Sequence, residues 1–497
     1  MTDDKNVLLQ PPTDDDFPTL QRIPSSYNPL HTYELAKGSD KHYQQQYADM
    51  YFTRLAMLKP AVEEVAAEAW EGFQVADEIA SKVDRVLDVR QGQLCYVVGT
   101  IYMEMPLKPN VLDDISKEHW IAAPPPRDKF TSLDGSDQTM LEDESGRIRL
   151  TGSFLPSQLL VTGCIVAVLG TENADGEFDV VDIRFPDLPI QPERWASTST
   201  SNEAAKSLSK NGTPSAGKLA IISGLSISGD QGDHLTLDLL MEYLLGESLD
   251  PISQAAASQI SRLLIAGNSI SHGTPIPSRE DLAVKKIGQK KYGYDPTAYN
   301  ASPTDRLDEF IATLLPSIPI TLLPGATDPA NVSLPQQSLH PALFPRSRAY
   351  SVLPDEKKET SWFDSTTNPW QGDIDGWRVL AVGGQTVDDV YKYVDEEGRL
   401  EMMESMLRWR LVAPTAPDTL WSYPFQMRDA FILSECPHVY IVGNQPKFGT
   451  AVVEGPGGQA VRLIAVSKFR ETGELVLLDM ESLGVELVKF DVYDKES

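Results

Sequence analysis

Apolar positions fall into three textures along the chain. Tyr51, Leu55, Leu58, Val62, Val65 and Ala69 recur in steps of four and three, one stripe at the helical period. Pro60 lies inside the stripe. Proline has no N–H and suits a helix's first turn, so the pattern predicts two helices, the second opening near Pro60 and both docking on a core. From about 83 to 187 the runs become short and β-rich, at 94–103, 147–154, 164–169 and 177–185. Turn-rich insertions separate them, among them Pro124-Pro125-Pro126 and the acidic stretch 134–144. Short strands around a large insertion predict a small barrel, with the five-stranded OB-fold as the best fit.

Beyond residue 218 the apolar runs are continuous, at 219–222, 263–266, 320–323, 379–382 and 439–442, and each ends in a glycine-containing loop. They alternate with helical stretches at 236–245, 253–262 and 399–410. Strands apolar on both faces belong between layers, which predicts a layered α/β domain around a central sheet, with functional groups in the strand-end loops. The chain thus divides into an acidic, Pro-rich arm (1–42), a helical segment (43–82), a barrel (83–190), a Ser-rich linker (191–217), an α/β domain (218–490) and a tail (491–497).

Composition narrows the class. A length of 497 residues suggests about three domains, and 41% hydrophobic residues suffice for sizeable cores. The formal net charge is −29, which repels polyanions and argues against an autonomous nucleic-acid binder. The three cysteines, Cys95, Cys164 and Cys436, never pair as C-x-x-C, which excludes a Cys-based zinc site and a disulfide framework and fits a reducing cytosolic or nuclear setting. The N-terminus lacks an apolar leader and no stretch is long enough to span a membrane, so a soluble intracellular protein is expected. The lysine-rich run 285–291 fits either an import signal or a solvated loop.

The strand-end loops have the spacing of the calcineurin-like metallophosphoesterase frame, whose active members place Asp-x-His, Gly-Asp, Gly-Asn-His-Asp and Gly-His-x-His at successive loops. Two adjacent metals need such carboxylates and imidazoles. Here Gly224 and Ser226 stand in the Asp and His positions of the first loop, and Asn268 replaces the bridging carboxylate. Ala326 and Thr327 replace Asn-His, and Asn444 and Pro446 occupy the last loop's histidine positions. Asp328 remains, at a position that is not a direct metal ligand in the active pattern. His234, His272, His340 and His438 form no ligand-spaced pair at a strand end and read as structural histidines. No G-x-S-x-G, Walker or H-E-x-x-H motif occurs.

Longer stretches carry a resemblance. Tyr47-Ala48 with residues 51–55, Leu334-Pro335-Gln336-Gln337-Ser338-Leu339-His340-Pro341, Phe344-Pro345, Asn368-Pro369, residues 414–420, Tyr423-Pro424-Phe425, residues 435–440, Gly443-Asn444 and Phe448-Gly449 resemble the B-subunits of eukaryotic replicative DNA polymerases, most closely the delta branch. That family implies an OB-fold barrel plus an inactive calcineurin-like phosphoesterase domain (an α/β sandwich), with no catalytic residue, cofactor or metal. It implies a nuclear scaffold for replication and repair. Its partners would be the Cys-rich C-terminal domain of the delta catalytic subunit and a third subunit that links to the sliding clamp. The catalytic subunit of polymerase zeta is a further candidate partner, and little or no direct DNA binding is expected. Trp362, Phe363, Trp370 and Trp421 are candidate partner anchors or core residues. Two other readings are an active metal-dependent phosphodiesterase or nuclease with unrecognised ligands, and a single-strand binder built on the OB-fold. The predicted barrel strands carry few of the aromatic and basic residues that the latter needs.

Overall fold

The computed structural model describes residues 20–36, 46–75, 78–109, 127–194, 217–228, 235–247, 250–271, 301–351 and 361–491. The triple proline, most of the predicted linker, the 285–291 run, His234 and His272 lie outside them.

Residues 20–36, grouped with the arm on sequence, are built into the fold. They carry a short strand, β1 (Tyr27–Pro29). The helical stripe forms one helix, α1 (Tyr47–Trp70), where two were expected. Pro60 is exposed, as is Ala56 one turn before it, so the carbonyl left without an N–H partner faces water. Leu55, Leu58 and Val62 are buried as the stripe predicts, joined by Met50, Arg54, Ala66 and Trp70, whereas Ala69 is exposed. After α1 come a two-stranded ribbon, β2 (Gln74–Val75) with β3 (Glu78–Ile79), within the 43–82 segment read as helical, and β4 (Ser81–Val83), which crosses its end.

The barrel comprises β5 (Cys95–Glu104), β6 (Gln138–Glu142), β7 (Arg147–Thr151), β8 (Ile165–Glu172) and β9 (Phe178–Arg184). The pairing runs β5-β6-β7-β9-β8, and β8 closes back on β5, so five strands form a ring with β4 alongside β5. β6 lies in the acidic stretch read as an insertion. Its register, Ile101 against Leu141, turns Leu141 into the core, and its polar residues Gln138, Thr139 and Glu142 are only half-buried.

The apolar runs beyond 218 occupy two sheets, not one central sheet. β10 (Lys218–Ile222), β11 (Ile260–Ala266), β12 (Ile320–Leu323) and β13 (Phe363–Ser365) are parallel neighbours. The chain then builds a second sheet from β14 (Trp370–Ile374), β15 (Trp377–Val382), β16 (Val439–Gln445), β17 (Gly449–Glu454) and β18 (Ala460–Ser467), with β1 at one edge. It finally returns to the first sheet with β19 (Glu474–Asp479) and β20 (Val485–Lys489) beside β10. Alternation along the strands builds the layers. Leu219 and Ile221 of β10, Leu264 of β11, and Val379 and Ala381 of β15 fill the space between the sheets. Ala220, Ile222, Leu263 and Ile265 face α2 (Leu235–Leu245) and α4 (Ser302–Leu314), while α3 (Pro251–Ser258) leads into β11. Leu380 and Val382 face α5 (Gln385–Tyr393) and α6 (Arg399–Arg408), whose core is continuous with that of the barrel.

The helix expected over 253–262 ends at Ser258, and Arg262 belongs to β11. Arg262 is buried, its guanidinium 3.8 Å from the Tyr27 ring centre and bonded to Thr321 Oγ1 at 2.9 Å. Tyr27 in turn stacks on Trp370 and donates its hydroxyl to Asp364. Trp370 and Phe363 are therefore core, while Trp362 and Trp421 remain 40% and 64% exposed. Among the described residues no helix is long and apolar enough to cross a membrane.

Barrel and sandwich meet at α1. Arg54 donates through Nε to Asp429 Oδ2 at 2.7 Å and through Nη1 to the carbonyls of Pro414 and Ala416, at 2.8 and 2.9 Å. Gly163, before β8, packs so close that a Cβ there would stand 2.1 Å from the Pro414 oxygen. Removing one member of a buried ion pair leaves the other uncompensated. We expect Arg54→Ala or Asp429→Ala to lower the free energy of unfolding by about 3–5 kcal/mol. The double variant Arg54→Met/Asp429→Leu should lose less than the sum of the two single losses, measured by urea denaturation.

Candidate functional site

The C-terminal ends of β10, β11, β12, β15 and β16 converge, and their loops approach backbone to backbone. A Cβ on Gly267 would stand 3.1 Å from the Cα atoms of both Gly325 and Gly383, and one on Gly443 would stand 2.1 Å from the Ala266 oxygen. The glycines that end the apolar runs thus permit loop-on-loop contact. The first two loops are also joined through their backbones, Gly224 N–H to the Gly267 oxygen and Ser226 N–H to the Asn268 oxygen, both at 3.0 Å.

Neutral amides knit the loops together. Asn444, buried at φ +58°, donates its side-chain N–H groups to the oxygens of Ala266 (3.2 Å) and Gly383 (2.7 Å). Its backbone N–H reaches Ser223 Oγ at 2.9 Å. Asn268, at φ +53°, accepts the Thr327 N–H through Oδ1 at 3.2 Å, and the Thr327 hydroxyl donates to the Ile270 oxygen at 2.7 Å. Beside them Gln336, Asn368 and Gln385 form a triangle. Asn368 donates to Gln336 Oε1 (2.8 Å) and Gln385 Oε1 (3.0 Å), and Gln385 donates to Gln336 Oε1 (2.9 Å). Gln336 also donates to the Gly325 oxygen at 3.1 Å, and Asn368 Oδ1 accepts the Gly383 N–H at 2.9 Å. Asp328 accepts the N–H groups of Ile270 (3.0 Å) and Gly325 (2.7 Å). Burial pushes its carboxyl up to about 6 despite those donors.

Of the positions singled out on sequence, Gly224, Asn268, Thr327 and Asn444 meet in this knot, and Ser226 joins it through its backbone. Ala326 and Pro446 are exposed at its rim. Gln336, Asn368, Gln385 and Ser223 were not foreseen as members. Gln336 and Asn368 lie in the Pro-containing stretches that carried the family resemblance, which was the available signal. The site offers mainly carbonyl and amide groups bonded to one another, with Asp328 held by backbone N–H groups and with Asn444 Oδ1 and Gln445 Oε1 buried without a partner. Among the described residues no group of three or more His, Cys, Asp or Glu side chains could hold a metal ion. His438 accepts the Arg378 N–H through Nδ1 at 3.0 Å and stands edge-on to Trp377, and burial lowers its pKa. His340 accepts the Ala342 N–H at 3.1 Å.

The closed five-stranded barrel and the two-sheet α/β sandwich fall largely within the segments that two family models match. The family model described as the DNA polymerase delta subunit OB-fold domain matches residues 46–183, and the model for the DNA polymerase alpha/epsilon B-subunit matches residues 219–450. The chain is 36% identical over 492 residues to the DNA polymerase delta small subunit of Saccharomyces cerevisiae, covering 94% of this chain and 93% of that one. It is 35% identical over 478 residues to the Arabidopsis thaliana small subunit (96% and 98% covered). Identity to DNA polymerase delta subunit 2 of Drosophila melanogaster is 32% over 475 residues (95% and 99% covered). The chain belongs to the DNA polymerase delta small-subunit family.

Asn444→Ala frees two buried carbonyls and places alanine at a positive φ. A loss of about 2–3 kcal/mol in unfolding free energy is expected by urea denaturation. Asp328 titrates at higher pH folded than unfolded, so the folded chain binds more protons between about pH 4 and 6, and acidification favours it. Relative to Asp328→Asn, the wild-type chain should gain about 2 kcal/mol of stability as pH falls from 7 to 4, compared by unfolding titrations at each pH.

Proposed function

We propose that the chain is a non-catalytic accessory subunit of a DNA polymerase delta holoenzyme, acting in the nucleus in replication and repair. In this reading the 83–190 barrel and the 218–490 sandwich, an inactive calcineurin-like phosphoesterase domain, form a scaffold joined through the 43–82 segment and the 191–217 linker. The scaffold bridges the Cys-rich C-terminal module of the catalytic subunit to the subunit that reaches the sliding clamp, and polymerase zeta is a second assembly that could use it. The observation that carries the proposal is the neutral knot of Asn268, Gln336, Asn368, Gln385 and Asn444 at the convergent strand ends. Amides bonded to one another and to loop carbonyls surround Asp328, whose oxygens are taken up by N–H donors, and among the described residues no group of three or more His, Cys, Asp or Glu side chains gathers there to hold two dications. Gly224, Ser226, Asn268, Ala326, Thr327, Asn444 and Pro446 are read as the positions where ligands have been replaced. The acidic surface, −29 in formal charge, suits a subunit that stands off the duplex and meets basic partner surfaces.

Co-expression of the full chain with the catalytic subunit's C-terminal module should yield a complex that survives gel filtration, and failure to co-purify would overturn the scaffold reading. With added Mn²⁺ or Zn²⁺, hydrolysis of bis(p-nitrophenyl) phosphate should stay at background. Metal-dependent turnover that purifies with the chain would overturn the non-catalytic reading.

A further inference from the structure

Residues 20–30 lie on the sandwich as a strap with few anchors. Tyr27 is their one buried residue. Its ring stacks on Trp370, 6.0 Å between ring centres, and meets the Arg262 guanidinium, while its hydroxyl bonds Asp364. Five residues earlier, Arg22 donates to the carbonyls of Leu244 and Ala257, near the C-terminal ends of α2 and α3. Carbonyls there carry the negative end of the helix dipole, so a cation suits them. Main-chain pairing with β14 completes the attachment. The Leu30 N–H bonds the Gln371 oxygen and the Asp375 N–H bonds the Ser26 oxygen, both at 3.1 Å.

The chain is held differently on either side of His31. That residue has a φ of +51°, which few residues other than glycine adopt. After it Tyr33 is buried, and Gln337 bonds both the Leu35 N–H (3.0 Å) and the Tyr33 oxygen (3.1 Å). Before it the strap covers a polar seat of Arg262, Asp364 and Asp375, the last accepting the Ser26 N–H at 2.8 Å. Water satisfies such groups once they are uncovered, whereas an apolar seat resists exposure through its buried area. Segments that bury little apolar surface are the ones that open without global unfolding. Opening this one bares the β14 edge, and the N–H and C=O groups of a bare edge take up an extended strand.

We propose that residues 20–30 form a displaceable strap that opens about His31 while both sheets stay folded, and that its seat accepts an extended peptide segment of a partner protein. The seat sets the pattern of that segment: a backbone that pairs with β14, a tyrosine for the slot at Trp370, Arg262 and Asp364, and an arginine five residues ahead for the two helix ends. The chain's own strap is then a resident competitor that keeps the edge closed until such a segment displaces it. The proposal does not rest on the scaffold reading.

Native-state hydrogen exchange on the full chain should show the Leu30 and Asp375 amides opening at a lower free energy than those of 379–382 and 439–442, and with less dependence on urea. A labelled peptide of residues 20–30 is then titrated by fluorescence anisotropy. It should bind the full-length Arg22→Ala/Tyr27→Ala chain at least tenfold more tightly than the wild-type chain, because the weakened strap competes less. Tyr27→Phe, which keeps the ring, should give a smaller gain in the same direction and serves where the double variant folds poorly. The peptide carrying Arg22→Ala and Tyr27→Ala should bind at least tenfold more weakly than the unaltered peptide. Strap amides that open only with the whole domain overturn the proposal. Absence of saturable peptide binding, or equal affinity across the chains or across the two peptides, does so too.

Discussion

The join between barrel and sandwich turns on the guanidinium of Arg54. It sits on a helix that packs mainly on the barrel, yet its bonds go to the sandwich, to Asp429 and to the carbonyls of Pro414 and Ala416. A planar fork with fixed donor directions sets position and angle together, which a lysine in the same place could not do. Gly163 works at the same seam from the barrel side, bringing main chain against main chain. The apolar core then runs without a break from β5 and β8 through α1 to α5 and α6. Two folds are thereby joined as if they were one.

The strand ends show a second use of the same principle. In a doubly layered α/β domain the loops at the carboxyl ends of the strands must satisfy their own polar groups, and a catalytic site leaves some of that capacity for a ligand. Here Asn444, Asn268 and the Gln336–Asn368–Gln385 triangle turn most of that capacity on one another and on loop backbone, although Asn444 Oδ1 and Gln445 Oε1 stay buried without a partner. Asp328 is enclosed by N–H donors, and burial raises its pKa to about 6. Convergent loops that elsewhere could serve chemistry become a rigid joint between two sheets.

What could be read from sequence follows from which forces leave a periodic mark. Runs such as 219–222 and 439–442 were legible because each strand is buried between two apolar layers, and the glycines after them because loops meet backbone to backbone. β6 was not legible. Only Leu141 of its five residues is fully buried, and acidic neighbours hid it. β1 is three residues long and is held by Tyr27 through stacking and one hydroxyl, neither of which has a period. Pro60 suggested a break that water on the exposed face makes unnecessary. The amide knot was half legible: its positions stood in recognisable loops, but bonds among neutral side chains far apart in the chain leave no local pattern.

The N-terminal strand also places this fold in time. Tyr27 is made 337 residues before Asp364, to which its hydroxyl bonds. At roughly 5–20 residues per second, that is a wait of about twenty seconds to a minute on the ribosome. Until then β1 has no partner strand, since β14 (Trp370–Ile374) is made later still, and its edges are open to any strand that drifts past. The arm is thus a stitch that can be drawn tight only once β13 and β14 have emerged.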